Sequence, residues 1–355
     1  MDLKVELATN GELKKKPTDP LNLPFGSVFT DHMLIMEYSG GEWQQLRIEP
    51  YHSLELDPSA MVLHYGQGIF EGMKAYRSDN QIYLFRPDMN LKRLNASAER
   101  MVIPTVDAER VLEAIRELLR IEREWIPEEK GTSLYMRPTI IATEPKLGVR
   151  PAHEYFFYVI LSPAGPYFKE GFNPISVMVS EKYVRAVRGG VGHAKTMGNY
   201  AASLRANKES SKAGFSQTLY LDALERKNIE ECGTMNVFVH FEDELATPPL
   251  NGTILPGITR DSVIQLAREW GFEVSERPIP IQEIVEGIET GHVLEVFGTG
   301  TAAIIAPIGV IGYAGEKYKI GDGDVGDLSR RLFDEITGLQ HGLVEDRHGW
   351  VEKIT

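Results

Sequence analysis

The sequence predicts a mixed α/β (α+β) protein of two domains, and three observations carry that expectation. Short apolar runs of strand composition alternate with stretches whose apolar residues recur at helical spacing. At 355 residues the chain is long enough for two separate cores. One stretch, Ser162 to Pro174, gathers Pro163, Gly165, Pro166, Gly171 and Pro174 and reads as a linker. The expected division is a smaller domain over 1–164, a linker over 165–175 and a larger domain over 176–355 that carries Lys195.

Composition narrows the function. Apolar residues make up 42% and charged residues 25%, the proportions of an ordinary globular protein. A formal net charge of −13 argues against nucleic acid or an anionic membrane as the main partner. The single cysteine, Cys232, allows no internal disulfide framework and fits a reducing compartment, so a cytoplasmic location is expected and no metal is. Met1 to Pro20 has no apolar run and reads as a charged, partly mobile arm. Val296 to Gly315 is uncharged, but Gly298, Gly300, Pro307, Gly309 and Gly312 suit strands and turns rather than a membrane helix.

In chain order, Phe25 to Tyr38 and Gln45 to Pro50 read as strands around the Gly40-Gly41 turn. Leu63 to Tyr76 is punctuated by Gly66, Gly68 and Gly72, marks of tight turns or close backbone approach, and Gln81 to Phe85 is strand-like. Pro87 and Asp88 open a helix with Leu91, Leu94, Ala98 and Met101 on one face. Asp107 caps a second helix with Val111, Ile115, Leu118, Leu119 and Trp125 inward. Leu134 to Thr143 and Glu154 to Leu161 are apolar strands. Asn199 to Gly214 is a helix, and Thr218 to Asp222 and Met235 to Phe241 are strands around a charged, turn-like segment, Asn228 to Gly233. Val263, Leu266, Ala267 and Trp270 stripe a helix that begins after Gly257. Phe272 to Arg277 and Val293 to Phe297 are strands, and Leu328 to Leu339 is a last helix.

The chemistry centres on Lys195, set in Gly-Gly-Val-Gly-His-Ala-Lys-Thr-Met-Gly-Asn-Tyr (residues 189–200) with no carboxylate in the window. A desolvated ammonium beside a helix start tends toward a neutral, nucleophilic amine, the group that Schiff-base chemistry needs. A solvated loop lysine is the plainer alternative. A nucleotide-binding module is another, but Gly189 to Thr196 misses G-x-x-x-x-G-K-[ST] by one position. Two segments could hold an anion: Gly257-Ile258-Thr259 ahead of a helix, and the Phe297 to Ala303 loop, which offers amides and a hydroxyl. The second is no dinucleotide fingerprint, because Ile304 to Pro307 ends any helix at once.

With these features in place the sequence resembles the branched-chain amino acid aminotransferases, the D-amino acid aminotransferase-like fold-type IV class that uses pyridoxal 5'-phosphate (PLP). The resemblance runs through Phe70-Glu71-Gly72-Met73-Lys74-Ala75-Tyr76, Leu84-Phe85-Arg86-Pro87, Tyr135-Met136-Arg137-Pro138, Glu144 to Val149, Glu231-Cys232-Gly233-Thr234, Leu255 to Arg260 and Phe297 to Ala302. It implies two domains with the active site in the cleft, and transfer of the amino group from Leu, Ile or Val to 2-oxoglutarate. It implies Lys195 as the lysine of the internal aldimine. Arg93, Arg185, Tyr200, Glu231, Thr234, Ile258, Thr259 and Thr301 are then around the cofactor, with Glu231 at the pyridinium nitrogen and Arg93 at the phosphate. Phe25, Tyr65, Phe70, Tyr135, Arg137, Leu147, Val149, Tyr167, Ala302 and Ala303 line the substrate pocket. Tyr65, Leu147 and Val149 reach in from a second copy of a homodimer, and Arg137 meets the second carboxylate of glutamate. Some relatives carry two cysteines where this chain has Ala303 and Ala306, so that thiol switch is absent. The same lysine and glutamate also serve D-amino acid aminotransferases and aminodeoxychorismate lyases, which remain the alternatives.

Overall fold

In the computed structural model the described residues are 3–9, 11, 13–165 and 172–354. The chain divides into two compact units, Met1–Tyr167 with Ala194–Met197 and Gly338–Thr355, and Phe168–His193 with Gly198–Thr337. Two segments expected within 176–355 therefore group with the first unit. The reason is pairing: Thr196 bridges Ile69, and the last strand of the chain joins the first unit's sheet.

The first unit begins with β1 (Leu3–Val5), β2 (His32–Ser39), β3 (Glu42–Trp43) and β4 (Leu46–Pro50). Next come α1 (Met61–Tyr65), β5 (Gly68–Phe70), β6 (Met73–Ser78), β7 (Gln81–Phe85), α2 (Pro87–Arg100), α3 (Ala108–Ile121), β8 (Ser133–Ala142) and β9 (Tyr155–Ala164). The expected strand from Phe25 forms only from His32 onward, because residues 25–31 turn. Described residues of the opening arm are held by hydrogen bonds. β1 pairs with β4, the Ala8 N–H donates to His32 Nε2 at 2.9 Å, and the Lys14 N–H donates to Asp31 Oδ1 at 2.7 Å. Asp107 caps α3 as expected, its Oδ1 accepting the Arg110 N–H. Leu91, Leu94 and Ala98 of α2, with Val111, Ile115 and Leu118 of α3, bury against Leu34, Ile48, Ala75, Leu84 and Val159 of the sheet.

The second unit holds β10 (Ile175–Ser180), α4 (Met197–Lys212), β11 (Gln217–Leu221), β12 (Ile229–Cys232), β13 (Met235–Phe241), β14 (Leu245–Thr247), α5 (Ile258–Glu269) and β15 (Val274–Glu276). It continues with α6 (Ile281–Thr290), β16 (Val293–Gly300), β17 (Ile304–Tyr313), β18 (Glu316–Lys319) and α7 (Asp327–Gln340). β19 (Val351–Ile354) then returns to pair with β7. The run β12-β11-β10-β17-β16-β13 closes on itself, because β12 also pairs with β13. Val177, Leu219, Val237, Val239 and Ile311 fill the centre of that ring. The segment Asn228 to Gly233, read from sequence as turn-like, is mostly strand β12, and both of its glutamates are buried. α6 escaped the sequence reading although Ile281, Ile284, Val285 and Ile288 follow helical spacing. Among the described residues no helix is long and apolar enough to cross a membrane.

Candidate active site

Lys195 is placed by backbone bonds to the first unit. Its carbonyl accepts the Phe70 N–H at 3.0 Å, its N–H donates to Ser97 Oγ at 2.9 Å, and Thr196 Oγ1 donates to the Gly68 carbonyl at 2.8 Å. This fixes the lysine along β5, with Nζ 5.0 Å from the centroid of the Phe70 ring. No carboxylate was visible in its sequence window, yet Glu71 comes to it from the end of β5. Burial pushes the Glu71 carboxyl up, but Arg93, Lys195 and Asn90 together hold it below the usual carboxylate range.

α2 delivers Arg93 to the same place. Its guanidinium meets Glu71 in a fork, Nε to Oε1 at 2.7 Å and Nη2 to Oε2 at 2.9 Å. Behind this, Arg137 on β8 lies 4.6 Å over the Phe70 ring, and its Nη2 donates to the Tyr135 hydroxyl at 3.0 Å. Phe25 meets Tyr135 edge to face at 4.8 Å. Arg137 Nε is buried and has no hydrogen-bond partner among the described residues. Gly72 permits this packing, since a Cβ there would collide with the Tyr135 hydroxyl. Phe25, Phe70, Arg93, Tyr135, Arg137 and Lys195 are thus brought together in one unit.

The second unit assembles a different group. Glu231 on β12 is ion-paired to Arg185 Nε and accepts from Asn236 Nδ2 at 3.2 Å. The Arg185 Nη2 also donates to the carbonyls of Gly192, at 2.9 Å, and Thr253, which ties down the loop leading toward Lys195. A small concavity is lined by Arg185, Tyr200, Glu231, Thr234 and Leu255. Across the sheet Glu231, Asn236 and Thr299 stand in register, a polar row on neighbouring strands. Asn236 Nδ2 donates to the Leu255 carbonyl at 2.9 Å, and a Cβ at Gly257 would strike Asn236 Oδ1. The start of α5, with the amides of Ile258 and Thr259, is therefore pinned to that row, and Gly257 gives it no side-chain cap. The Thr299 hydroxyl is buried without a partner among the described residues. Thr301, Ala302 and Ala303 form the turn from β16 to β17, and Ile304 after them takes a left-handed φ of 64°. Cys232 is buried, its thiol pushed up to about 12 by burial and then by Glu231, so it is inert.

Three expected pocket residues lie outside these groups. Tyr65 on α1, Leu147 and Val149 are exposed, Val149 at 88%. Tyr167 lies outside the described residues. Sequence reasoning gave no role to Glu71 or Asn236. The signal available for both was a polar residue interrupting an apolar run.

Comparison with known proteins gives the family. Residues 68–311 match the family described as amino-transferase class IV. A branched-chain-amino-acid aminotransferase 2 of Bacillus subtilis (strain 168) is 50% identical over 99% of this chain and 97% of its own length. The crystal structure of an Escherichia coli branched-chain amino acid aminotransferase superposes with a TM-score of 0.77 at 29% identity, covering 92% of this chain and 99% of that one. That of a T.th. branched-chain amino acid aminotransferase with pyridoxamine 5'-phosphate gives 0.73 at 26%, covering 90% and 98%.

Proposed function

The chain belongs to the class IV aminotransferases, and from that premise we infer that it is a branched-chain-amino-acid aminotransferase, moving the amino group of Leu, Ile or Val to 2-oxoglutarate. The observation that carries the substrate reading is Arg137. A guanidinium stacked on Phe70 and close to the Tyr135 ring, with a buried Nε that has no acceptor among the described residues, suits a carboxylate inside an apolar wall.

The cofactor proposed is PLP, and the residues present fit it. A buried carboxylate suits a pyridinium N–H, an uncapped helix start suits a phosphate, and the buried Thr299 hydroxyl, without a partner among the described residues, suits a further polar group. A relative was crystallised with pyridoxamine 5'-phosphate. When bound, the group supplies an aldehyde for amines to condense with and a ring that accepts the electrons of a breaking Cα–H bond. Lys195 is the amine that binds it and afterwards carries the proton from the substrate Cα. Glu231, ion-paired to Arg185, would hold the proton on the ring nitrogen, Tyr200 would reach the phenolic oxygen, and Thr234 would lie near the cofactor. Arg93, the Ile258 and Thr259 amides and Thr301 take the phosphate. Phe25, Phe70 and Tyr135 receive the branched side chain at about 0.8 kcal/mol per buried methylene, with Tyr167, Ala302 and Ala303 assigned to the same pocket.

We also propose a homodimer in which Tyr65, Leu147 and Val149 serve the site of the second copy. The support is exposure of an apolar patch on one connected surface: Ala60 bridges Pro145 and the Met61 N–H donates to the Glu144 carbonyl, so α1 and the Leu147 loop move as one. A cytoplasmic location is proposed on the lone buried cysteine.

The test is spectroscopic. The purified protein should absorb as a PLP enzyme, change on L-leucine and recover on 2-oxoglutarate. Response to D-leucine with none to L-leucine would move the assignment to a D-amino acid aminotransferase. Lys195→Ala should stay folded and lose turnover, and full activity in that variant would end the mechanism.

A further inference from the structure

Glu71 is fully buried at the bend between β5 and β6. An isolated carboxylate there would be too costly to ionise, so its partners define what it does. Besides the Arg93 fork, Oε2 accepts from Asn90 Nδ2 at 2.9 Å and from the Gly72 N–H at 3.1 Å. Asn90, Arg93 and Ser97 lie at i, i+3 and i+7 on α2, and Ser97 Oγ accepts the Lys195 N–H. One helix face therefore holds the arginine, its carboxylate and the main chain of the lysine. The Arg93 side chain is only 10% exposed. Without Glu71 it would be a buried guanidinium with its main counter-charge removed.

We propose that Glu71 is a positioning residue. By engaging Nε and Nη2 together it fixes the plane of the Arg93 guanidinium, so that the arginine is preorganised for a phosphate monoester. A carboxylate also weakens the field of the arginine it pairs with, which works against anion binding. The Asn90 amide and the Gly72 N–H offset this in part, because they share the carboxylate's charge with the arginine. The proposal rests on Arg93 being the phosphate arginine, and the experiment separates the two.

The full chain, freed of cofactor, is titrated with PLP and separately with pyridoxal, which lacks the phosphate, and Kd is read from tryptophan fluorescence. Arg93→Gln is expected to weaken PLP far more than pyridoxal. If it does not, the arginine assignment fails and the proposal falls with it. Glu71→Gln is expected to weaken PLP about tenfold, the scale on which outer-shell partners act, while pyridoxal changes little. In an Arg93→Gln background it should do nothing further. Equal weakening of both ligands, unchanged or tighter PLP binding, or an additive loss in the double variant overturns the role of Glu71 and leaves Arg93 standing. Circular dichroism reports folding. If Glu71→Gln does not fold, Asn90→Ser removes the amide that donates to Glu71 Oε2 and to the Gly72 carbonyl: selective loss of PLP affinity supports the proposal, and equal or no loss overturns it.

Discussion

A guanidinium with one donor engaged by a phenol and another, buried, with no acceptor among the described residues is best explained by what binds it. At Arg137 this argues for a substrate carboxylate, and its removal should be felt most by the substrate with two. Arg137→Gln is expected to raise KM for 2-oxoglutarate roughly 10- to 100-fold, the loss of a charge-assisted hydrogen bond, with a smaller change for leucine. Steady-state kinetics with each substrate checks this. Glu231→Gln breaks the pair with Arg185 and leaves that cation buried. It should lower kcat on the order of a hundredfold, as removal of a preorganised electrostatic group does, with little change in KM for leucine. Lys195 stood out in the sequence by its neighbours, and Glu231 through the family resemblance. Glu71 did not, because its significance comes from Arg93, which lies far along the sequence and arrives by way of a helix.

At the scale of single elements, the loop from β11 to β12 is organised by Asp222. Its carboxylate accepts the N–H groups of Leu224, Glu225, Lys227 and Asn228. Burial pushes the acid up, but these donors outweigh it and bring it to about 2. Because the folded value lies below the unfolded one, the stabilisation is complete above about pH 4 and is lost as pH falls toward the folded value. Asp222→Ala should therefore cost roughly 1–2 kcal/mol at pH 7, and urea melts of the two proteins should converge as the pH is lowered below 4. Helices α2, α3 and α5 could be read from the sequence because each buries a stripe at helical spacing. β12 could not. Its charged pair Glu230 and Glu231 mimics a surface turn, and only partners from distant strands and loops make burial affordable: Thr253 for Glu230, Arg185 and Asn236 for Glu231.

For the molecule as a whole, Leu63, Leu147 and Val149 are exposed at 59%, 67% and 88%, and the proposed homodimer rests on this apolar surface. Changing Leu147 and Val149 together to Asp should shift the protein to monomer in sedimentation velocity. Activity should fall with the dimer, since Tyr65 and its neighbours would no longer reach the other copy. An unchanged dimer would send the interface elsewhere. The proline-rich break was the feature of the sequence that suggested two domains. The return of the chain was not legible, because a four-residue edge strand such as β19 gives no periodic signal of its own.

That last pairing has a consequence for biosynthesis. β7 receives β19 only when Val351–Ile354 has been made, after the ribosome has delivered every strand of the second unit. Throughout that interval the nascent first sheet carries an open edge of alternating Ile82 and Leu84, a template for pairing with other chains. A premature stop after the second unit would free a polypeptide with most of both cores present and that edge uncovered, a species for chaperones and proteases rather than an enzyme.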